Sequence, residues 1–185
     1  DSILPRLAKN GGNVDEVKDK LVQYAELAEK EGADAILNAC SSVGEVVEKM
    51  REKVSVPVVR IDEAMAEEAI SKGQTIGVAA TLSTTLEPTI RLIQGKAAEL
   101  GKTIQISPML AESAYKRLTE GDPEGHDQLL SEALAELADQ VDIVVLAQAS
   151  MARVLAKLPE SGKEKFLTSP ELGVQRVKSV MEGLS

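Results

Sequence analysis

The sequence predicts a parallel α/β protein of two small lobes facing each other. Three observations carry this. Short apolar, β-branched runs alternate with longer stretches of helical period, and most junctions hold a turn or cap residue. A unit of strand, polar loop and helix occurs twice with similar loops, after Ile36-Leu37 and again after Gly77-Val78. Continuous apolar runs such as Ile143-Val144-Val145-Leu146 suit strands covered on both faces, as parallel strands are.

Taken in order, residues 1–13 are polar and Gly-rich and contain no strand; a helix is expected over 14–31. A strand at 33–38 and a helix at 43–53 follow, then a strand at 56–61 and a helix at 63–71 behind Asp62 as N-cap. The second series runs strand 75–80, helix 85–101, strand 103–107 and helix 110–120. Asp122 before Pro123 starts a helix over 123–139, because proline suits a first helical turn. Strand 141–147, helix 151–158, strand 165–168 and a helix over 170–182 behind Ser169 complete the chain. The first lobe is expected to comprise 1–74 plus 170–185 and to carry Cys40, the second 75–169. A parallel sheet that opens on helix 14–31 lacks its leading strand, so the chain is expected to start inside a longer natural one.

With 185 residues, 43% hydrophobic and 28% charged, the chain supports one substantial core or two small ones, which excludes disorder and miniature disulfide scaffolds. The net charge of −9 opposes binding to nucleic-acid phosphates, and three aromatics (Tyr24, Tyr115, Phe166) are too few for base-stacking platforms. Apolar runs fall far short of the ~18–20 residues that cross a bilayer, and no basic-then-apolar leader opens the sequence, so a cytoplasmic protein without a membrane partner is expected. The single cysteine makes no intramolecular disulfide, and no Cys or His spacing fits a metal. Phosphate-loop, dinucleotide and nucleophile-elbow motifs are absent, which removes those three readings.

Ligands of parallel α/β proteins collect beyond the carboxyl ends of the strands. In Asn38-Ala39-Cys40-Ser41-Ser42-Val43-Gly44-Glu45, Ser42 and Glu45 have capping-box spacing, which places a thiol at the positive end of a helix, where a thiolate fit to act as base or nucleophile is favoured. The alternative is a small buried hydrophobe, the usual fate of free cysteine. The hydroxyl-rich loop Thr81-Leu82-Ser83-Thr84-Thr85-Leu86-Glu87 suits a carboxylate, or Thr84 and Glu87 simply cap the next helix. Gln148-Ala149-Ser150-Met151 offers an orienting amide that is no general base. For Thr168-Ser169-Pro170-Glu171 capping alone is expected. His126 begins a helix instead of following a strand, and is expected to be solvated.

Asn38-Ala39-Cys40-Ser41-Ser42, Ile76-Gly77-Val78-Ala79-Ala80-Thr81-x-x-Thr84 and Asp142-Ile143-Val144-Val145-Leu146-Ala147-Gln148-Ala149-Ser150-Met151 resemble the three signature loops of the aspartate/glutamate/hydantoin racemase superfamily. The opening Asp1-Ser2-Ile3-Leu4-Pro5-x-Leu7 and Thr168-Ser169-Pro170-Glu171 are similar too, so the likeness runs through nearly the whole chain. The resemblance implies a cofactor-independent α/β enzyme of two pseudo-symmetric parallel-sheet lobes with the active-site cleft between them, in which two cysteines, one from each lobe, face opposite sides of the substrate α-carbon. Cys40 matches the first; Gln148 stands where the second belongs, and an amide has no titratable proton to exchange.

Three routes remain open at this stage. Cys40 acts alone on one face of an enediolate, or adds to an activated double bond as in the maleate isomerase branch, or finds a partner in an N-terminal strand outside this sequence. All need donors for charge developing on carboxylate oxygens; Ser41, Ser42, Thr81, Thr84 and Ser150 are the candidates. The expected roles are Cys40 as base or nucleophile, Asn38, Ser41, Thr81 and Thr84 as carboxylate binders, and Gln148 and Ser150 as orienting groups. The leading expectation is an isomerase or racemase of a small carboxylate or amino acid, the second a decarboxylating lyase, the third a carboxylate-binding protein without catalysis. A homodimer is expected, paired through an exposed alanine-rich helix face at 130–137. Absence of arginine from the site loops points to recognition by hydroxyls and backbone.

Overall fold

The computed structural model describes residues 3–158 and 160–184; Asp1 and Ser2 of the opening segment lie outside the described residues. The chain forms two lobes, each around a parallel sheet. In the first, β1 (Ile36–Asn38) pairs with β2 (Val58–Arg60), with Asn38 beside Arg60. The second sheet has four strands in the order β4 (Gln105–Leu110), β3 (Thr75–Ala80), β5 (Ile143–Leu146), β6 (Phe166–Thr168).

Alternation along the central strands explains how the second sheet is covered on both sides. Ile76, Val78 and Ala80 of β3, with Ile143 and Val145 of β5, face Met65, Ala66, Ala69 and Ile70 of α4 (Glu63–Lys72) and Leu86 and Ile93 of α5 (Ser83–Glu99). Ala79, Val144 and Leu146 point the other way, toward Ala114 of α6 (Glu112–Thr119) and Leu130, Leu134 and Leu137 of α7 (Pro123–Ala138). Within 130–137 the leucines at i, i+4 and i+7 form the stripe that closes the sheet's own face, and all three are buried, whereas Ala135 between them is exposed. The first lobe's core joins α1 (Ile3–Lys9), α2 (Lys18–Lys30) and α3 (Val47–Arg51) through Leu7, Val17, Leu21, Val47 and Met50. The final helix, α8 (Ser169–Leu184), packs on α4 and the end of β2. It comes so close that a Cβ on Gly173 would lie 2.6 Å from the Ile61 carbonyl oxygen.

Several elements depart from the sequence reading for visible reasons. The opening segment holds α1, whose Ile3 and Leu7 bury an i, i+4 pair in seven residues, too short to register as periodicity. Strand β4 continues through Pro108 to Leu110, because β4 is an edge strand, where a residue without N–H is tolerated. Segments 41–46 and 149–157 are 3-10 helices, with Val43 and Val46, and Met151 and Val154, burying the i, i+3 pairs that this tighter winding aligns. Asp122 does cap α7, accepting from the Gly125 N–H at 2.8 Å. Asp62 precedes α4 but makes no side-chain cap, since its carboxylate is held by Arg60. No described helix is long and apolar enough to cross a membrane.

Candidate active site

Parallel pairing puts the carboxyl ends of β1 and β2 together, and likewise those of β3 and β5, so residues 38–42, 81–85 and 148–150 all leave from strand ends. Asn38 is buried at the end of β1, and its side-chain oxygen accepts the Cys40 N–H at 3.4 Å, a local turn that holds the loop. Cys40 is half-buried and extended (φ −128°, ψ 110°) immediately before the 3-10 helix Ser41–Val46. It packs against the first lobe's core and borders an apolar cavity of ≈ 360 Å³ with Ile3, Leu4, Pro5, Leu21 and Val43. The helix it precedes is six residues of 3-10 winding, not the α-helix expected.

The capping box expected of Ser42 and Glu45 is not formed, because both side chains reach across to α5. Ser42 Oγ lies 3.0 Å from Thr85 Oγ1, and Glu45 takes a bidentate ion pair from Arg91. Thr84 does not cap α5 either; the helix begins at Ser83 behind Leu82, and no side chain bonds the cap. Pro88 inside α5 has no N–H to give the Thr84 carbonyl. Thr84 meets the 10–13 loop instead, where a Cβ on Gly12 would lie 3.5 Å from Thr84 Cγ2. In that loop Asn10 Nδ2 donates to the Asn13 carbonyl at 2.9 Å while its buried Oδ1 has no partner.

Thr81, buried beyond β3, gives both its N–H (2.6 Å) and its hydroxyl (2.9 Å) to the side-chain oxygen of Gln148 beyond β5. Asn38, Cys40, Ser42, Thr81 and Gln148 thus belong to one connected set of strand-end loops. Ser41 is buried inside the first of these loops, and Ser150 stands exposed at the rim of the last.

Two clusters escaped the sequence reading. Arg60, last residue of β2, is buried, gripped by Asp62 at 2.6 and 3.1 Å, and lies across Gly44: a Cβ there would come 2.3 Å from Arg60 Nε. It supports the 41–46 loop directly, and its strand-end position was the available signal. His126 is the second. It is buried, not solvated, because the start of α7 is pressed onto the 149–157 segment. Its Nδ1 lies 2.7 Å from Asp127 Oδ1, and the same carboxylate takes Arg153 at 2.8 Å and Lys157 at 2.9 Å. Burial pushes the Asp127 carboxyl up, but the bonds from His126 and Lys157 and the charge of Arg153 outweigh it and hold the group below the usual range. At Glu63 burial is again outweighed, here by Arg51 and Lys96, and that carboxyl is also lowered. Among the described residues no group of His, Cys, Asp and Glu is arranged to hold a metal ion.

Residues 38–45, 81–87 and 148–151 contain no lysine, arginine or histidine, so these strand-end loops offer hydroxyls, amides, backbone N–H groups and one thiol. The fold is shared by solved racemases. A glutamate racemase from Bacillus anthracis is 18% identical and covers 94% of this chain and 67% of its own, with a TM-score of 0.70. A putative Asp/Glu racemase from Yersinia pestis is 14% identical over 98% of this chain and 79% of its own, with a TM-score of 0.67. An allantoin racemase from Klebsiella pneumoniae is 18% identical over 88% of this chain and 65% of its own, with a TM-score of 0.59. The chain therefore spans about two thirds of the length of the glutamate and allantoin racemases. No curated protein matches it. The Asp/Glu/Hydantoin racemase family model matches residues 2–177, all three strand-end loops included, and the chain belongs to that family.

Proposed function

We propose that this protein catalyses cofactor-independent proton chemistry at the α-carbon of a small carboxylate, as an isomerase or racemase, with the Cys40 thiolate as base or nucleophile. The observation that carries the reading is the half-buried thiol on a strand-end loop bonded through Ser42 to the hydroxyl-rich start of α5. As a base, the thiolate takes the α-proton: the C–H bond breaks, S–H forms, and the electron pair enters an enediolate whose charge rests on the carboxylate oxygens. Preorganised donors lower the energy of that charge, and Ser41 and Thr84 with adjacent N–H groups are the candidates, with Ser150 at the rim, because Thr81 gives both its own donors to Gln148.

Gln148 at the second lobe's strand end favours a second reading, a lyase in which CO₂ leaves to give the same enediolate and Cys40 protonates it. Solvent deuterium incorporation at the α-carbon, followed by mass spectrometry over D- and L-amino acids, hydantoins and substituted malonates, tests both. Exchange that disappears in Cys40→Ala supports the isomerase, and CO₂ loss from a malonate supports the lyase. Exchange undiminished in Cys40→Ala removes the thiol's role, and silence across the panel overturns both in favour of a binding protein.

A further inference from the structure

The hydrogen bonds around Gln148 fix which way its amide faces. A backbone N–H can only donate, so the atom 2.6 Å from the Thr81 nitrogen is the amide oxygen and the –NH2 points away from it. That oxygen is also 2.9 Å from Thr81 Oγ1, and since a carbonyl carries no hydrogen, the hydroxyl donates as well. Both accepting positions of the oxygen are filled, and the Thr81 proton is committed. The pair is held by the sheet: Ala79 and Leu146 are register partners, and Thr81 and Gln148 each lie two residues further on. Gln148 is half-buried, and its nitrogen has no acceptor among the described residues and is not a buried unpartnered atom, so the two N–H donors are open to a ligand.

We infer that Gln148, locked by Thr81, is the second lobe's carboxylate-reading group: its –NH2 donates to a ligand carboxylate oxygen, and this wall supplies no proton-transfer group. The inference rests on the small-carboxylate reading above and narrows it to one-sided isomerase or lyase chemistry, setting racemisation aside. An amide and a hydroxyl do not exchange protons with a carbon acid near neutral pH, so proton transfer is confined to the Cys40 face and proceeds with one stereochemical sense.

The test uses malonate as the probe with malonamide as its neutral counterpart. Gln148→Glu preserves shape and the acceptor for Thr81 but replaces the donors with a charged oxygen. Side-chain amide signals of Gln148 are identified in ¹H–¹⁵N spectra as those missing from the variant. The expected result is that these signals move as malonate is added and that the variant binds malonate about 10- to 100-fold more weakly, with malonamide affinity much less affected. Gln148→Met, which deletes the donors without adding charge, repeats the comparison if the glutamate variant does not fold. Stationary Gln148 signals, equal malonate affinity in the variants, or no malonate binding overturns the assignment. Malonate binding through Gln148 without any α-deuterium exchange sinks the catalytic reading and leaves this one standing, whereas Cys40-dependent exchange with inversion overturns the one-sided wall.

Discussion

Asp127 gathers His126, Arg153 and Lys157 around one carboxylate, and its lowered pKa sets a pH dependence with a definite sign. In the unfolded chain the carboxyl titrates near its ordinary value of about 4, above the folded value, so on acidification the unfolded state binds the proton first. The stabilisation is complete above about pH 4–5 and is lost as pH falls through the depressed folded value. Asp127→Asn is expected to lower the melting temperature at pH 7, with the gap to the parent closing toward pH 2–3; a gap independent of pH would refute the charge-based account. A one-residue reading of His126 missed this cluster because its partners Arg153 and Lys157 are remote in sequence. Cys40 was legible as a candidate because its strand-end position is local, whereas the apolar residues beside it come from α1 and α2.

At the scale of elements, α7 shows local signals agreeing with the outcome. Pro123 fits the first turn, Asp122 accepts from Gly125, and the leucine stripe faces the sheet. Asp122→Ala is expected to cost about 1 kcal/mol, lowering the melting temperature by about 2–4 °C, while Asp122→Asn, which keeps an acceptor, retains most of the stability; equal losses in both would assign the effect to charge. The 41–46 and 149–157 segments were harder to read. Their apolar spacing fits one turn of either winding, and the choice between 3-10 and α rests on what packs against them, including Arg60 over Gly44. The expected strand 103–107 stops before Pro108, whereas β4 runs on to Leu110, because edge position is a property of the sheet, invisible along the chain.

At the scale of the whole molecule, the side chains that join the 41–46 segment of the first lobe to α5 of the second include Ser42 with Thr85 and Glu45 with Arg91. The half-buried hydroxyl pair has the stronger claim to stability, since the ion pair is partly exposed. A double-mutant cycle of Ser42→Ala and Thr85→Val, measured by urea unfolding, is expected to give a coupling of about 0.5–1.5 kcal/mol; zero coupling would mean that water replaces the bond at no loss. The sequence alone determined the α/β class, the order of most elements and the strand-end loops, because period, caps and strand-end chemistry are written in neighbouring residues. Tertiary structure decided the orientation of the Gln148 amide, the burial of His126, the crossing of Ser42 to Thr85 and the resting of Arg60 on Gly44. Each joins groups from separate elements, and a hydrogen bond or close contact exists only where folding has brought both partners to one place.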